Sequence, residues 1–171
     1  MTTIEQFVMR WLRYERRCVM LLNERHPRWS QYAYITRPDC IGVTDKRQVI
    51  EVEVKRTMQD FLANRDKKAM RWGLQFSKSF PYQFYFAVPW KLAKDVEPLV
   101  PEWAGLMHAP NAQQVAEMVV VKRAPINRAA VRMTLRDCVH ASAMMTNQIV
   151  AQFDRIQKLK DEIEMLRQQH A

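Results

Sequence analysis

The sequence predicts an α/β fold, and three observations carry that expectation. Apolar residues recur at helical spacing from Ile4 to Leu22, short β-branched and aromatic runs bounded by turn residues follow, and a helical pattern opening at Thr57 divides those runs into two groups. In the first segment Ile4, Val8, Trp11, Glu15, Cys18 and Leu22 form one stripe, while Arg10, Arg13, Arg16 and Arg17 fall largely elsewhere. Glu15 occupies a place where the period asks for an apolar residue, so a carboxylate is expected to point inward. Proline disfavours helix at the residue before it, so this helix is expected to end at His26, Pro27 and Arg28.

Strands are predicted over Tyr32 to Thr36, Asp39 to Val43 and Gln48 to Lys55. The last two form a hairpin across the polar turn Thr44, Asp45, Lys46 and Arg47. Thr57 can cap a second helix reaching about Trp72, with Phe61, Leu62 and Ala69 inward and Arg65, Lys67, Lys68 and Arg71 outward. Tyr82 to Val88, ended by Pro89, reads as a buried strand whose aromatic residues belong to the core rather than to a base-stacking platform. Gly105 to His108 and Glu117 to Lys122 read as further short strands. After Pro125 the character changes: Arg128 to Gln169 contains neither glycine nor proline and reads as one or two long helices. The expected organisation is therefore one domain over residues 1–125 and a helical extension over 126–171. In the extension Ile149, Ile156 and Ile163 stand seven apart, Leu159 and Leu166 fall at d positions, and Gln152 interrupts that row, a short heptad seam suited to a homodimer.

Composition narrows the partner. The 171 residues carry 27 Lys and Arg against 18 Asp and Glu, and a net charge of +9 suits a polyanion held through many phosphate contacts. No apolar run is long enough to span a bilayer, and Met1 to Gln6 contains Glu5 and no basic stretch of the kind that opens a signal peptide, so a cytoplasmic protein is expected. Cys18, Cys40 and Cys138 are odd in number and lack CxxC spacing, and the histidines lack ligand spacing, which argues against a disulfide framework or a zinc site.

The chemistry concentrates in Gln48 to Lys55. Side chains alternate along a strand, so Glu51, Glu53 and Lys55 share one face and Val52 and Val54 the other. Ionisable groups on a buried strand face cost several kcal/mol each, as an order of magnitude, unless paired or bound to an ion. Asp39, after Pro38, can approach Glu53 across the hairpin, and two neighbouring carboxylates repel unless a cation lies between them. Oxygen donors from Asp39, Glu53 and the Val54 carbonyl suit Mg²⁺ or Mn²⁺, Glu15 can hold a second metal or its water shell, and Lys55 can orient the attacking water. Arg13, Arg17, Arg56, Lys67, Lys68 and Arg71 are the candidates for phosphate contacts. Plainer readings stand beside these. The charged face can be a solvated antiparallel sheet, Pro38-Asp39 can be a turn, Glu15 can reach the helix edge and pair with an arginine, and the basic residues can be ordinary solvated helix faces.

Pro38-Asp39 followed by Glu53-Val54-Lys55, behind a helix bearing Glu15, resembles the PD-(D/E)XK nuclease superfamily over roughly Ile4 to Ala124. Within it, Arg37-Pro38-Asp39, Ile50 to Lys55, Asp60-Phe61, Asp66-Lys67 and Tyr85-Phe86-Ala87-Val88-Pro89 are similar to the MmcB-type DNA repair-associated group. The resemblance implies a restriction-endonuclease-like core (helix, three-stranded meander, helix, strand) with Asp39, Glu53, Lys55 and Glu15 as the catalytic set. It implies a Mg²⁺-dependent deoxyribonuclease, a phosphodiester hydrolase of DNA repair, recombination or mobile elements. The long helical tail and the extra carboxylate Glu51 depart from the shared pattern. The alternative is a non-cleaving DNA-binding or protein-interaction module on the same fold, and RNA is a second polymer that the charge fits.

Overall fold

The structure is a computed structural model that describes residues 3–23, 38–63, 81–110 and 117–169. The chain divides into two units, Met1–Met133 and Thr134–Ala171. The boundary falls beyond the expected residue 125 because Asn127 N–H donates to Tyr82 O at 2.9 Å and Met133 N–H to Arg47 O at 3.0 Å, tying the intervening segment to the first unit.

The first unit is built on one mixed sheet of six strands in chain order: β1 (Met20–Asn23), β2 (Cys40–Val43), β3 (Val49–Val54), β4 (Gln83–Val88), β5 (Gly105–His108) and β6 (Val119–Lys122). β1, β2 and β3 form an antiparallel meander, β3, β4 and β5 run parallel, and β6 returns antiparallel. Helix α1 (Ile4–Tyr14) precedes the sheet; residues 58–63 open a helix, α2, after β3; and α3 (Trp90–Val96) lies between β4 and β5. The expected strand at Tyr32–Thr36 and most of the expected helix to Trp72 lie outside the described residues. α3 was not foreseen, because Pro89 reads as the end of a strand. Here it is instead the N-cap of the following helix, a place where its missing N–H costs nothing.

The first helix is shorter than its apolar stripe. Thr3 and Gln6 close a capping box at its start. At its end Glu15 and Arg16 N–H both donate to Trp11 O, Arg17 turns left-handed (φ 52°), Cys18 N–H donates to Leu12 O, and Val19 N–H joins Val43 O in the sheet. Cys18, Met20 and Leu22 are then buried at every second position while Val19 is exposed, which is strand alternation. The predicted helix from Ile4 to Leu22 is therefore corrected: its last third is the entry to β1.

Both faces of β3 and β4 are covered. Val8, Trp11, Leu12 and Cys18 pack on Cys40, Ile50, Val52, Val54, Tyr85 and Ala87, with Trp11 edge-on to Tyr85. Gly42 makes this approach possible, since a Cβ there would lie 2.6 Å from Cys18 Sγ and 2.8 Å from Leu12 Cδ2. On the opposite face Phe61, Phe84, Phe86, Val96, Trp103 and Leu106 form a second cluster, in which Phe86 meets Phe61 and Phe84 edge-on at 5.0 Å. The aromatic residues Phe84 and Phe86 are core, as expected; Trp72, Phe76 and Phe80 lie outside the described residues.

The second unit is one helix, α4 (Leu135–Gln169), 35 residues long. Thr134 and Asp137 cap it reciprocally, the Asp137 N–H donating to Thr134 Oγ1 and the Thr134 N–H to Asp137 Oδ2. No helix among the described residues is long and apolar enough to cross a membrane.

Candidate functional site

The register of the hairpin decides which charged groups meet. Cys40 stands opposite Val52 and Ile41 opposite Glu51, so the next residue outward, Asp39, comes level with Glu53 on the same side of the sheet. The two carboxylates thus reach the open end of the β2–β3 ladder together. Asp39 Oδ2 accepts a 2.6 Å hydrogen bond from the Val54 N–H, which fixes that carboxylate against the end of β3. Parallel strands β3, β4 and β5 end along this same edge, the usual position of ligand sites in α/β sheets.

Glu51, Glu53 and Lys55 are 1 %, 4 % and 5 % exposed, so the reading of a solvated antiparallel face is overturned. Burial of three ionisable groups demands partners. Lys55 Nζ lies 3.0 Å from Glu53 Oε2 and 3.8 Å from Asp60 of α2, and the Lys55 N–H donates to Ala87 O at the end of β4. The ammonium is therefore held beside Glu53, two residues along the same strand face, as the alternation expects.

The helix carboxylate at this edge is Glu5, and the expectation for Glu15 is corrected. Glu15 is exposed, just past the end of α1, and lines a recess of about 280 Å³ with Trp11, Tyr14, Glu117 and Val120. Glu5 sits in the first turn. Its Oε1 pairs with Arg56 at 2.5 Å, while its Oε2 is buried with no hydrogen-bond partner among the described residues. Burial alone raises the Glu5 carboxyl, but its own backbone N–H, the Thr3 hydroxyl and the Arg56 guanidinium outweigh that and hold it below the usual range, so it is ionised. The buried Cys40 thiol, next to Asp39, is pushed far up by desolvation and then by the negative charges of Asp39, Glu5 and Glu53. Three carboxylates, from α1, from the residue before β2 and from β3, therefore lie within electrostatic reach of the Cys40 thiol. Sequence reasoning passed over Glu5, although it stands three and seven residues before the fully buried Val8 and Leu12, on the inward stripe.

The donor set of Glu5, Asp39 and Glu53 is all oxygen and anionic, which suits a hard divalent cation, and the orphaned Glu5 Oε2 is the kind of buried atom that an ion would satisfy. The carboxylates are not drawn together as a preformed cage: among the described residues no group of three His, Cys, Asp or Glu side chains is already arranged to hold a metal. The basic residues divide. Arg56 is exposed beside the site and engaged by Glu5; Arg13 donates to Cys18 O at 3.0 Å and Arg17 is the left-handed residue of the turn, both at the other end of α1. Arg13 and Arg17 are thus not a rim around Asp39 and Glu53, because Arg13 sits in the last turn of α1 and Arg17 just beyond it, at the opposite end from Glu5. Lys67, Lys68 and Arg71 lie outside the described residues.

Fold and site together define a mixed α/β protein with a buried acidic and basic cluster at one end of its central strands. No family model matches the chain, and no curated protein does. Among solved structures it is similar to the SPO1766 protein of unknown function from Silicibacter pomeroyi, at 21 % identity and a TM-score of 0.50, over 91 % of this chain and 87 % of that one. This likeness concerns the fold alone.

Proposed function

We propose that the chain is a metal-dependent nuclease of the PD-(D/E)XK kind that hydrolyses phosphodiester bonds in DNA, on a restriction-endonuclease-like core. The observation that carries this reading is the buried Glu53–Lys55 pair, level with Asp39, at the open end of β2 and β3. A buried ammonium held against a buried carboxylate, level with a second, partly buried carboxylate, is the kind of ionisable cluster that marks functional sites. Asp39 and Glu53, with the Val54 carbonyl and Glu5, are the residues that would hold Mg²⁺ or Mn²⁺. When bound, the ion supplies charge for the scissile phosphate and acidifies a water. Lys55 then places its ammonium where charge develops on the phosphate, and Glu53 keeps that ammonium oriented through the 3.0 Å pair. Glu5 holds Arg56 at the rim, where a guanidinium suits a neighbouring phosphate. The net charge of +9, to which Lys67, Lys68 and Arg71 contribute, supplies the general attraction for a polyanion, and two copies join through the C-terminal helix in the cytoplasm.

A second reading, a DNA-binding or scaffolding module that does not cleave, is favoured by one observation: Lys55 Nζ is taken up by carboxylates on both sides, Glu53 and Asp60. The test is a cleavage panel of single-stranded, duplex and branched DNA and of RNA, with Mg²⁺, Mn²⁺ or Ca²⁺, run beside Lys55→Ala. The nuclease reading expects cutting that needs Mg²⁺ or Mn²⁺ and is lost in the variant. Cutting that survives Lys55→Ala overturns the site, and steeply salt-dependent binding without any cutting selects the second reading.

A further inference from the structure

The pairing of two copies leaves open how the helices run, and the seam itself answers that. In α4 the a positions Ile149, Ile156 and Ile163 are all β-branched, and the d positions are Gln152, Leu159 and Leu166. The five apolar members are each 48–55 % exposed, half-covered by their own helix and open on the seam side. Away from the seam Gln157 donates to Asp161 Oδ1 at 2.8 Å, one turn apart, on the b and f positions, and only Val150 and Met165 among the described b, c and f residues are large, exposed and apolar. Seven-residue spacing held over three heptads is a pattern that only another helix with the same repeat matches. A second copy of this chain has that repeat.

We propose that α4 forms a parallel two-stranded coiled coil with α4 of a second copy, and that Gln152 fixes its orientation. This rests on the pairing already proposed and adds its geometry. Within a parallel coiled coil, β-branched residues at a with leucine at d select two strands. Gln152 decides the orientation. In the parallel arrangement each Gln152 faces its own counterpart, and a side-chain amide both donates and accepts, so the two satisfy each other. The antiparallel arrangement that keeps the same three heptads in register sets Gln152 against Ile163 and buries an amide without a partner. Flanking charges speak on both sides. A parallel pair brings Glu162 to Arg167 but also Arg155 to Lys160, and an antiparallel pair brings Arg155 to Glu162. These flanks are exposed, so screening makes them the weaker influence, and the buried seam decides. Parallel helices bring the Thr134 ends of both chains to the same end of the coil, so the two preceding units are attached there and can act on one polymer.

The test uses the full chain carrying Cys138→Ser, measured for mass by light scattering, with Leu166→Cys then oxidised alone or mixed with Ile149→Cys. A dimer in which Leu166→Cys cross-links to itself is the expected result. A dimer in which cross-links form only between Ile149→Cys and Leu166→Cys overturns the orientation and leaves the pairing. A monomer at all concentrations overturns both, and none of these outcomes depends on whether the protein cuts DNA. Gln152→Leu in the Leu166→Cys background is expected to give mixed orientations or higher oligomers; a dimer that stays wholly parallel removes the role given to Gln152.

Discussion

The two ends of α1 each carry a glutamate, ten positions and so about 15 Å apart, and they meet different fates. At the N-terminal end Glu5 is drawn in beside Arg56, within electrostatic reach of Cys40. At the C-terminal end Glu15 lies exposed past the last helical turn, by a recess shared with Glu117. The contrast teaches that a carboxylate's place on an apolar stripe counts only as far as the helix extends. Arg17 turns the chain left-handed, the stripe stops, and the residue that fitted the period ends at the surface.

Variants at the two ends should separate most sharply in cleavage assays. Lys55→Ala and Asp39→Ala, both at the Glu5 end, are expected to lower Mg²⁺-dependent turnover by roughly a hundredfold or more, with circular dichroism unchanged. Glu5→Gln should cost about tenfold, as a group that supports a metal does, while Glu15→Gln stays within about twofold. Equal losses in the two glutamine variants would erase the distinction between the ends.

Stability should divide in the opposite sense. Gly42→Ala presses a methyl group onto Cys18 and Leu12 beneath the C-terminal end, and a loss of about 1–3 kcal/mol in urea unfolding is expected. Thr3→Ala removes one side of the capping box at the N-terminal end and should cost about 1 kcal/mol. The smallest effect concerns pH. Burial lifts the Cys18 thiol to about 11 from an ordinary 9.0, so the folded state holds that proton more tightly than the unfolded chain. Its contribution is complete below about pH 9 and is lost as pH rises through about 11. The urea midpoint should therefore fall more steeply across that window in the native protein than in Cys18→Ala.

The central strands were legible in the sequence because their signals agree at every level. Val49–Val54 and Gln83–Val88 combine β-branched and aromatic residues with turn or proline boundaries, and the alternation of Glu51, Glu53 and Lys55 against Ile50, Val52 and Val54 gave the charged face directly. The end of α1 was not legible, for a reason of arithmetic. Cys18 and Leu22 stand four apart, which satisfies a helix at i and i+4 and equally a strand at two steps of two; only Met20 between them, buried in β1, tells the two apart. Glu5 was passed over because an acidic residue in a first helical turn is so often there for the helix dipole alone. Its partner Arg56 is 51 residues away, and no local pattern announces such a pair.

Manganese binding to the metal-free protein, followed by electron paramagnetic resonance in the native chain, Asp39→Asn, Glu5→Gln and Glu15→Gln, tests the cluster most directly. The expected result is binding by the native chain that Asp39→Asn abolishes, Glu5→Gln weakens and Glu15→Gln leaves alone. Binding that is unchanged in Asp39→Asn, or a native chain that takes up no manganese even with DNA present, would contradict it.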